Sequence, residues 1–267
     1  MFHLPAVRTP KIKAGHVEID PYINESLVDY LKQLRSNPTE GYTKLNHVCG
    51  RNEPTDFYKY VEVFQTFPFE VKPLNVTYSA PNEYATKALT FVRGEKDVHA
   101  SVAPNQADLM VGTNEEGVYD FVRTALRSQK IGGNMVFQMS ELFSLSTVHL
   151  LYLLSCCYTT VYVYAPMLYS GQTKFVVALS LHQNLALAAP PYEFVMPQLF
   201  LTKLIEINTM IGQKRLEQLR FNTNCEYECV IWKSKFLSRT NNDDLDADGR
   251  ANQIQKGAKT PYRYAVY

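Results

Sequence analysis

Paired residues of the kind that bind metal or form disulfides are missing from this sequence. Its five cysteines are an odd number and include no CxxC pair, which excludes a disulfide framework and points to a reducing compartment. The six histidines, His3, His16, His47, His99, His149 and His182, stand singly, so none has metal-ligand spacing. No cysteine has a histidine partner that the sequence can assign to it, which leaves no case for a thiol nucleophile. Charge of one sign is scarce too. Lys and Arg total 27 against 26 Asp and Glu, a net charge of +1, so only local patches can argue for nucleic acid. No apolar run reaches the roughly 18 residues of a membrane span, and the first residues lack the apolar core of a secretory signal. A soluble, intracellular protein is expected, with Asn75-Val76-Thr77 a chance glycosylation match. There is no internal repeat.

The chain has 267 residues, enough to bury a substantial core. Its spacing predicts a Pro-broken extended arm over residues 1–20, then a helix from Glu25 to Arg35 capped by Asn24 and ended by Asn37-Pro38. Strands are expected at Lys44–Gly50, Phe69–Tyr78, Ala88–Arg93 and Ala107–Gly112, with helices starting at Pro54 and over Gly117–Lys130. A Gly132-Gly133 turn then leads into a buried strand, followed by a helix opened by Ser144 or Ser146. Further strands are expected at Thr160–Tyr164 and Lys174–Leu181. The later chain reads as a helix pair over Pro197–Phe221 broken at Gly212, a helix over Cys225–Leu237, and a polar tail. The acidic run Asp243, Asp244, Asp246, Asp248 has neither the spacing nor the closing Glu of a calcium loop. Together these imply an α/β chain: a doubly wound, Rossmann-type sheet with an antiparallel edge hairpin over 21–185, a helical extension over 186–237 and a tail over 238–267.

Several stretches carry a likeness. Gly132, Gly133, Leu142, Phe143, the run Leu150 to Leu154, Cys156, Cys157, Pro166 and Phe175-Val176-Val177 stand in an order that resembles the second half of the FtsJ-like, cap-specific mRNA ribose 2′-O-methyltransferases. Phe57 to Val61 is similar to the segment after that family's donor loop. Glu228, Cys229 and Trp232 are similar to its closing helix. The resemblance implies a methyltransferase-like sheet and a Lys-Asp-Lys-Glu tetrad around a ribose hydroxyl.

Placed on this sequence, the tetrad positions are Lys32 on the helix before the first strand, Thr113, Gln138 and Thr173, with Lys44 a poorer choice than Lys32. Asp108 matches the structural Asp that opens a strand. An amide has no basic form, so Gln138 cannot replace a lysine base. The donor loop falls on Glu53, Pro54, Thr55 and Asp56, where Thr and Asp stand in place of two glycines. Glycine lets a ligand lie on the backbone without a Cβ in the way, and β-branched threonine does not. No cofactor is therefore expected, or S-adenosylmethionine if the chain is active.

The reading is a catalytically inactive relative of a cap ribose methyltransferase that serves as a scaffold for a protein partner, for RNA, or for both. Lys203, Lys214, Arg215 and Arg220, with Lys233, Lys235 and Arg239, form the local basic region on which RNA would lie. The alternatives are an active, divergent S-adenosylmethionine-dependent enzyme using Lys32 and Lys174, and a structural subunit of a viral particle or polymerase assembly.

Overall fold

A computed structural model describes residues 1–6, 11–12, 41–67, 69–70, 73–80, 82–100, 107–112, 117–167, 173–183, 194–220 and 225–237. The expected helix at Glu25–Arg35 and the tail beyond 237 lie outside them.

A seven-stranded sheet forms the centre. Its parallel half comprises β3 (Leu74–Tyr78), β4 (Val98–Ala100), β5 (Leu109–Gly112) and β6 (Asn134–Met139). The order is β4-β3-β5-β6, so the chain turns back across β3 after β4. The other half comprises β7 (Tyr158–Tyr164) and β8 (Lys174–Leu181), with β8 antiparallel to both β6 and β7. Residues Phe2–Leu4, within the expected arm, form β1 and pair with β7 as the outer edge. A separate two-residue ladder joins β2 (Lys11–Ile12) to β9 (Phe194–Val195).

Helices cover both faces. One carries α1 (Gly41–Cys49), α2 (Thr55–Thr66), α3 (Glu83–Arg93) and α7 (Cys225–Phe236). Its core includes Phe57, Tyr60, Val76, Val111, Val136, Phe175 and Trp232. The opposite core gathers α4 (Val118–Ser128), α5 (Leu145–Cys157) and α6 (Gln198–Arg220), including Phe121, Leu151, Cys156, Cys157, Leu204 and Ile207. Every residue of α5 from Thr147 to Cys157 is buried, as expected of a helix apolar all round. Ser144 caps it, accepting from Thr147 N at 3.3 Å. The strand order defines the class: a doubly wound, Rossmann-type α/β fold of the methyltransferase kind.

Three expectations fail. Lys44–Gly50 is the end of helix α1, which stops at Gly50 with φ +63°, a glycine helix stop that the strand reading overlooked. Ala88–Arg93 is helical because Asn82 caps α3 and accepts from Ala85 N at 2.9 Å, while Ala85, Ala88 and Leu89 share one buried face. Helix α6 runs unbroken through Gly212. A helical glycine costs about 1 kcal/mol relative to alanine, less than burying Phe200, Leu204, Ile207 and Ile211 contributes.

The C-terminal helix is held by one buried group. Glu62 on α2 accepts from Tyr164 Oη at 2.6 Å, from the Met167 amide, and from Trp232 Nε1 at 2.7 Å. Burial pushes its carboxyl above the usual glutamate range. The Tyr164, Trp232 and Met167 hydrogen bonds and the Lys214 ammonium pull the other way. Replacing Trp232 with Phe keeps much of the apolar bulk and removes the donor. Urea unfolding is expected to show a loss of about 2–4 kcal/mol. A loss below about 0.5 kcal/mol would mean that Glu62 does not anchor α7.

Candidate functional site

In doubly wound sheets, ligands bind outside the carboxyl ends of the strands where the order reverses. Here the reversal lies between β3 and β5, at the turn after Tyr78 and the end of β5 at Gly112. That corrects the position of the donor loop. Glu53, Pro54, Thr55 and Asp56 are instead the entry to α2. Asn46 clamps this turn, donating to Glu53 O and accepting from Glu53 N, each at 2.9 Å. Glu53 pairs with Lys87 at 2.8 Å and Asp56 with Lys59 at 3.0 Å.

The turn that does sit at the reversal reads Ser79-Ala80-Pro81-Asn82 and contains no glycine. Ser79 N donates to Val111 O at 2.9 Å, tying the ends of β3 and β5 together. The Asn82 side chain accepts from Ala85 N at 2.9 Å, and its Nδ2 donates to Tyr60 Oη at 3.4 Å. The N-terminus of α3 is thus satisfied by its own cap, leaving fewer backbone N–H groups for an anion or carboxylate. At Gly112 a Cβ would lie 2.6 Å from the Phe121 ring and 2.8 Å from Phe137 Cβ. Aromatic packing of the α4-side core fills the space beside this strand end. These residues do not fit the usual S-adenosylmethionine cradle.

The tetrad positions divide. Lys32 and Thr113 lie outside the described residues. The helix before the first parallel strand is α2, and its lysine is Lys59, which the sequence reading missed because it took Lys44–Gly50 as that strand. Lys59 is 7% exposed and donates to Asp56 Oδ1. Gln138 and Thr173 do come together: Gln138 pairs with Phe175 across β6 and β8, and Thr173 directly precedes Lys174 at the start of β8. Lys174, 8% exposed, donates to Ser140 O at 2.7 Å, locking the end of β6 to the start of β8. Asp108 serves the opposite end of the sheet, accepting from Asn75 N at 2.9 Å and pairing with Lys130.

One residue after Ser140, Glu141 is enclosed by donors. It accepts from Phe143 N at 2.7 Å, Ser144 N at 2.8 Å, Ser144 Oγ at 2.5 Å and Thr147 Oγ1 at 2.7 Å. Burial alone would raise its pKa. The Ser144 and Thr147 side chains and the two amides together bring it below the usual glutamate range. This carboxylate is committed to fixing the start of α5.

Beside the turn after Tyr78, a groove of about 890 Å³ opens along α3. Tyr78, Asn82, Thr86 and Phe91 form one wall, Asn52, Glu53 and Pro54 the other. Glu53, Glu83 and Glu95 line it against one lysine, Lys87, which is paired with Glu53, so the groove does not suit a polyphosphate. The expected basic region is also reduced. Lys203 pairs with Glu206 at 3.0 Å, while Lys214 turns inward to Pro166 O at 3.3 Å, where burial lowers its pKa. The side chains of Arg215 and Arg220 lie outside the described residues. No group of three or more potential metal ligands occurs among the described residues, and no described helix is long and apolar enough to cross a membrane.

No family model and no curated protein match the sequence. Solved structures give partial overlaps. A Haemonchus contortus phosphoethanolamine N-methyltransferase 2, bound to phosphomonomethylethanolamine and S-adenosylhomocysteine, shares 14% identity at a TM-score of 0.33 over 51% of this chain and 39% of its own. PigF with S-adenosylhomocysteine gives 12% identity and a TM-score of 0.30 over 59% and 66%. A Listeria monocytogenes protein described as a class I S-adenosylmethionine-dependent methyltransferase gives 12% and 0.35 over 74% and 80%. The chain therefore spans about two fifths of the Haemonchus enzyme and about two thirds of PigF. The fold assignment rests on the strand order.

The sign of the Glu141 effect on stability is fixed by its lowered pKa. Its contribution is complete above the ordinary glutamate value of about 4.3 and is lost as pH falls toward the depressed folded value. Glu141→Gln is expected to cost about 1–2 kcal/mol at pH 7. In urea unfolding from pH 7 to 3 the gap to the parent chain should close below about pH 4. A gap unchanged over that range would show that the ionised form is not the one held.

Proposed function

We propose that this chain is a catalytically inactive relative of the cap ribose 2′-O-methyltransferases and that it works as a binding scaffold for a protein partner, with RNA as a further ligand. The observation that carries the reading is the rim formed by Gln138, Thr173 and Lys174. An amide and a hydroxyl stand where the resemblance implies a lysine base and a glutamate, and the one lysine there is bonded to a backbone carbonyl. Neither Gln138 nor Thr173 removes a proton from a sugar hydroxyl near neutral pH. The glycine-free turn at Asn82 supports the same reading from the donor side.

A second reading, a divergent S-adenosylmethionine-dependent ribose methyltransferase, draws on two mostly buried lysines, Lys59 and Lys174, on elements that meet the carboxyl end of the sheet. Lys59 takes the part first given to Lys32. Titration calorimetry with S-adenosylmethionine and with sinefungin, together with methyl transfer to capped RNA, separates the two. The scaffold reading expects no binding tighter than about 1 mM and no transfer. Micromolar binding with transfer abolished by Lys59→Met or Lys174→Met would replace it with the enzyme. The structural-subunit reading differs in expecting large assemblies of the isolated chain, visible by light scattering.

A further inference from the structure

Helix α7 has two apolar faces, and only one of them is covered by other described residues. Cys229, Trp232 and Phe236 are buried against α1 and α2. On the outside, Tyr227 is 68% exposed, Val230 51% and Ile231 38%. With Ser234 they follow the i, i+3, i+4, i+7 spacing of a helix-pairing seam. A surface helix ordinarily shows polar residues there.

The charges beside the seam identify its occupant. Glu226 and Glu228 lie in the first turn, Lys233 and Lys235 in the last. Glu226 and Lys233 are one heptad apart along one flank of the seam, as are Glu228 and Lys235 along the other. Each flank is therefore acidic at its start and basic at its end, which is self-complementary when the helix is turned end for end. We propose that α7 is a homodimer interface, pairing antiparallel with α7 of a second copy of this chain. Val230 meets the partner's Ile231 at the two-fold axis, and Tyr227 lies over the partner's Ser234. Glu226 then faces the partner's Lys233, and Glu228 faces the partner's Lys235.

A two-fold contact of this kind makes each interaction twice. The antiparallel arrangement also sets the positive end of one helix dipole beside the negative end of the other. RNA is a poorer occupant, because the exposed centre is apolar and Glu226 and Glu228 flank it; Lys233 donates one of its three N–H groups to Val48 O at 2.8 Å and keeps the others for a facing carboxylate. One helix per subunit makes a small interface, in the class of weak, transient contacts below about 1,200 Å². The inference is independent of whether the sheet binds a methyl donor.

Sedimentation velocity on the full chain, from about 5 to 500 µM, is the test. The expected result is a reversible monomer–dimer equilibrium with a midpoint in the tens to hundreds of micromolar, roughly. Tyr227→Ser, on the solvent side, should keep the circular dichroism and melting of the parent and weaken dimerisation about tenfold. Glu226→Lys and Lys233→Glu should each weaken self-association by a similar factor, about tenfold, and an equimolar mixture of the two should recover it, since opposite charges then face each other. A chain that stays monomeric throughout, a Tyr227→Ser chain that dimerises as well as the parent, or a mixture that does not recover would each overturn the proposal. So would a short single-stranded RNA that binds the parent and is lost with Tyr227→Ser.

Discussion

Three donors from two segments far from Glu62 in sequence converge on its carboxylate, and the outer architecture depends on how that group is satisfied. An isolated ionised carboxylate away from water is costly by several kcal/mol. Tyr164 at the end of β7, the Met167 amide and Trp232 on α7 are its donors, with Lys214 of α6 adding positive charge nearby. Any arrangement that removes the C-terminal helix leaves an oxygen unpaired. The helical extension is therefore part of the main core: Trp232 is fully buried, stands edge-on to Tyr58 at 5.5 Å and tilts against Phe236 at 5.2 Å.

At the carboxyl end of the sheet the same economy of polar groups gives a different outcome. Lys59, Lys174, Glu141 and Asn82 all sit there, and each is bonded to the protein itself. A catalytic centre keeps charged groups pointed at a space where substrate will lie. This rim spends its hydrogen bonds on joining β6 to β8, starting α5 and starting α3.

Much of the fold was legible because the sequence marks it redundantly. Gly132-Gly133, the apolar run of β6, the Ser144 cap and the Leu-rich α5 agree with one another, and the structure follows them closely. Ala107–Gly112 reads as a buried parallel strand for the same reason, and the strand runs from Leu109 to Gly112. The first half was harder. KLNHVCG has the composition of a short strand, yet Gly50 in the left-handed region stops a helix there, and periodicity over so few residues does not separate the two. That single misplacement put the loop after the first parallel strand at Asp56 rather than at Asn82, and the helix before that strand at Lys32 rather than at α2. Asn82 as a cap three residues before Ala85 was the available signal. The convergence on Glu62 was not legible at all, since its partners are more than a hundred residues away and hydrogen-bond pairing leaves no local pattern.

The short strand at Phe2–Leu4 has an influence beyond its length. Its partner β7 reads Tyr-Thr-Thr-Val-Tyr-Val-Tyr, uncharged, β-branched and aromatic, the composition that stacks most readily into fibrillar aggregates. Backbone bonds from Phe2, His3 and Leu4 to the 161–163 stretch occupy a border that would otherwise be open to a foreign strand. Three residues thus act as a guard on an aggregation-prone segment of the sheet, and peeling them away would expose its backbone edge to a foreign strand.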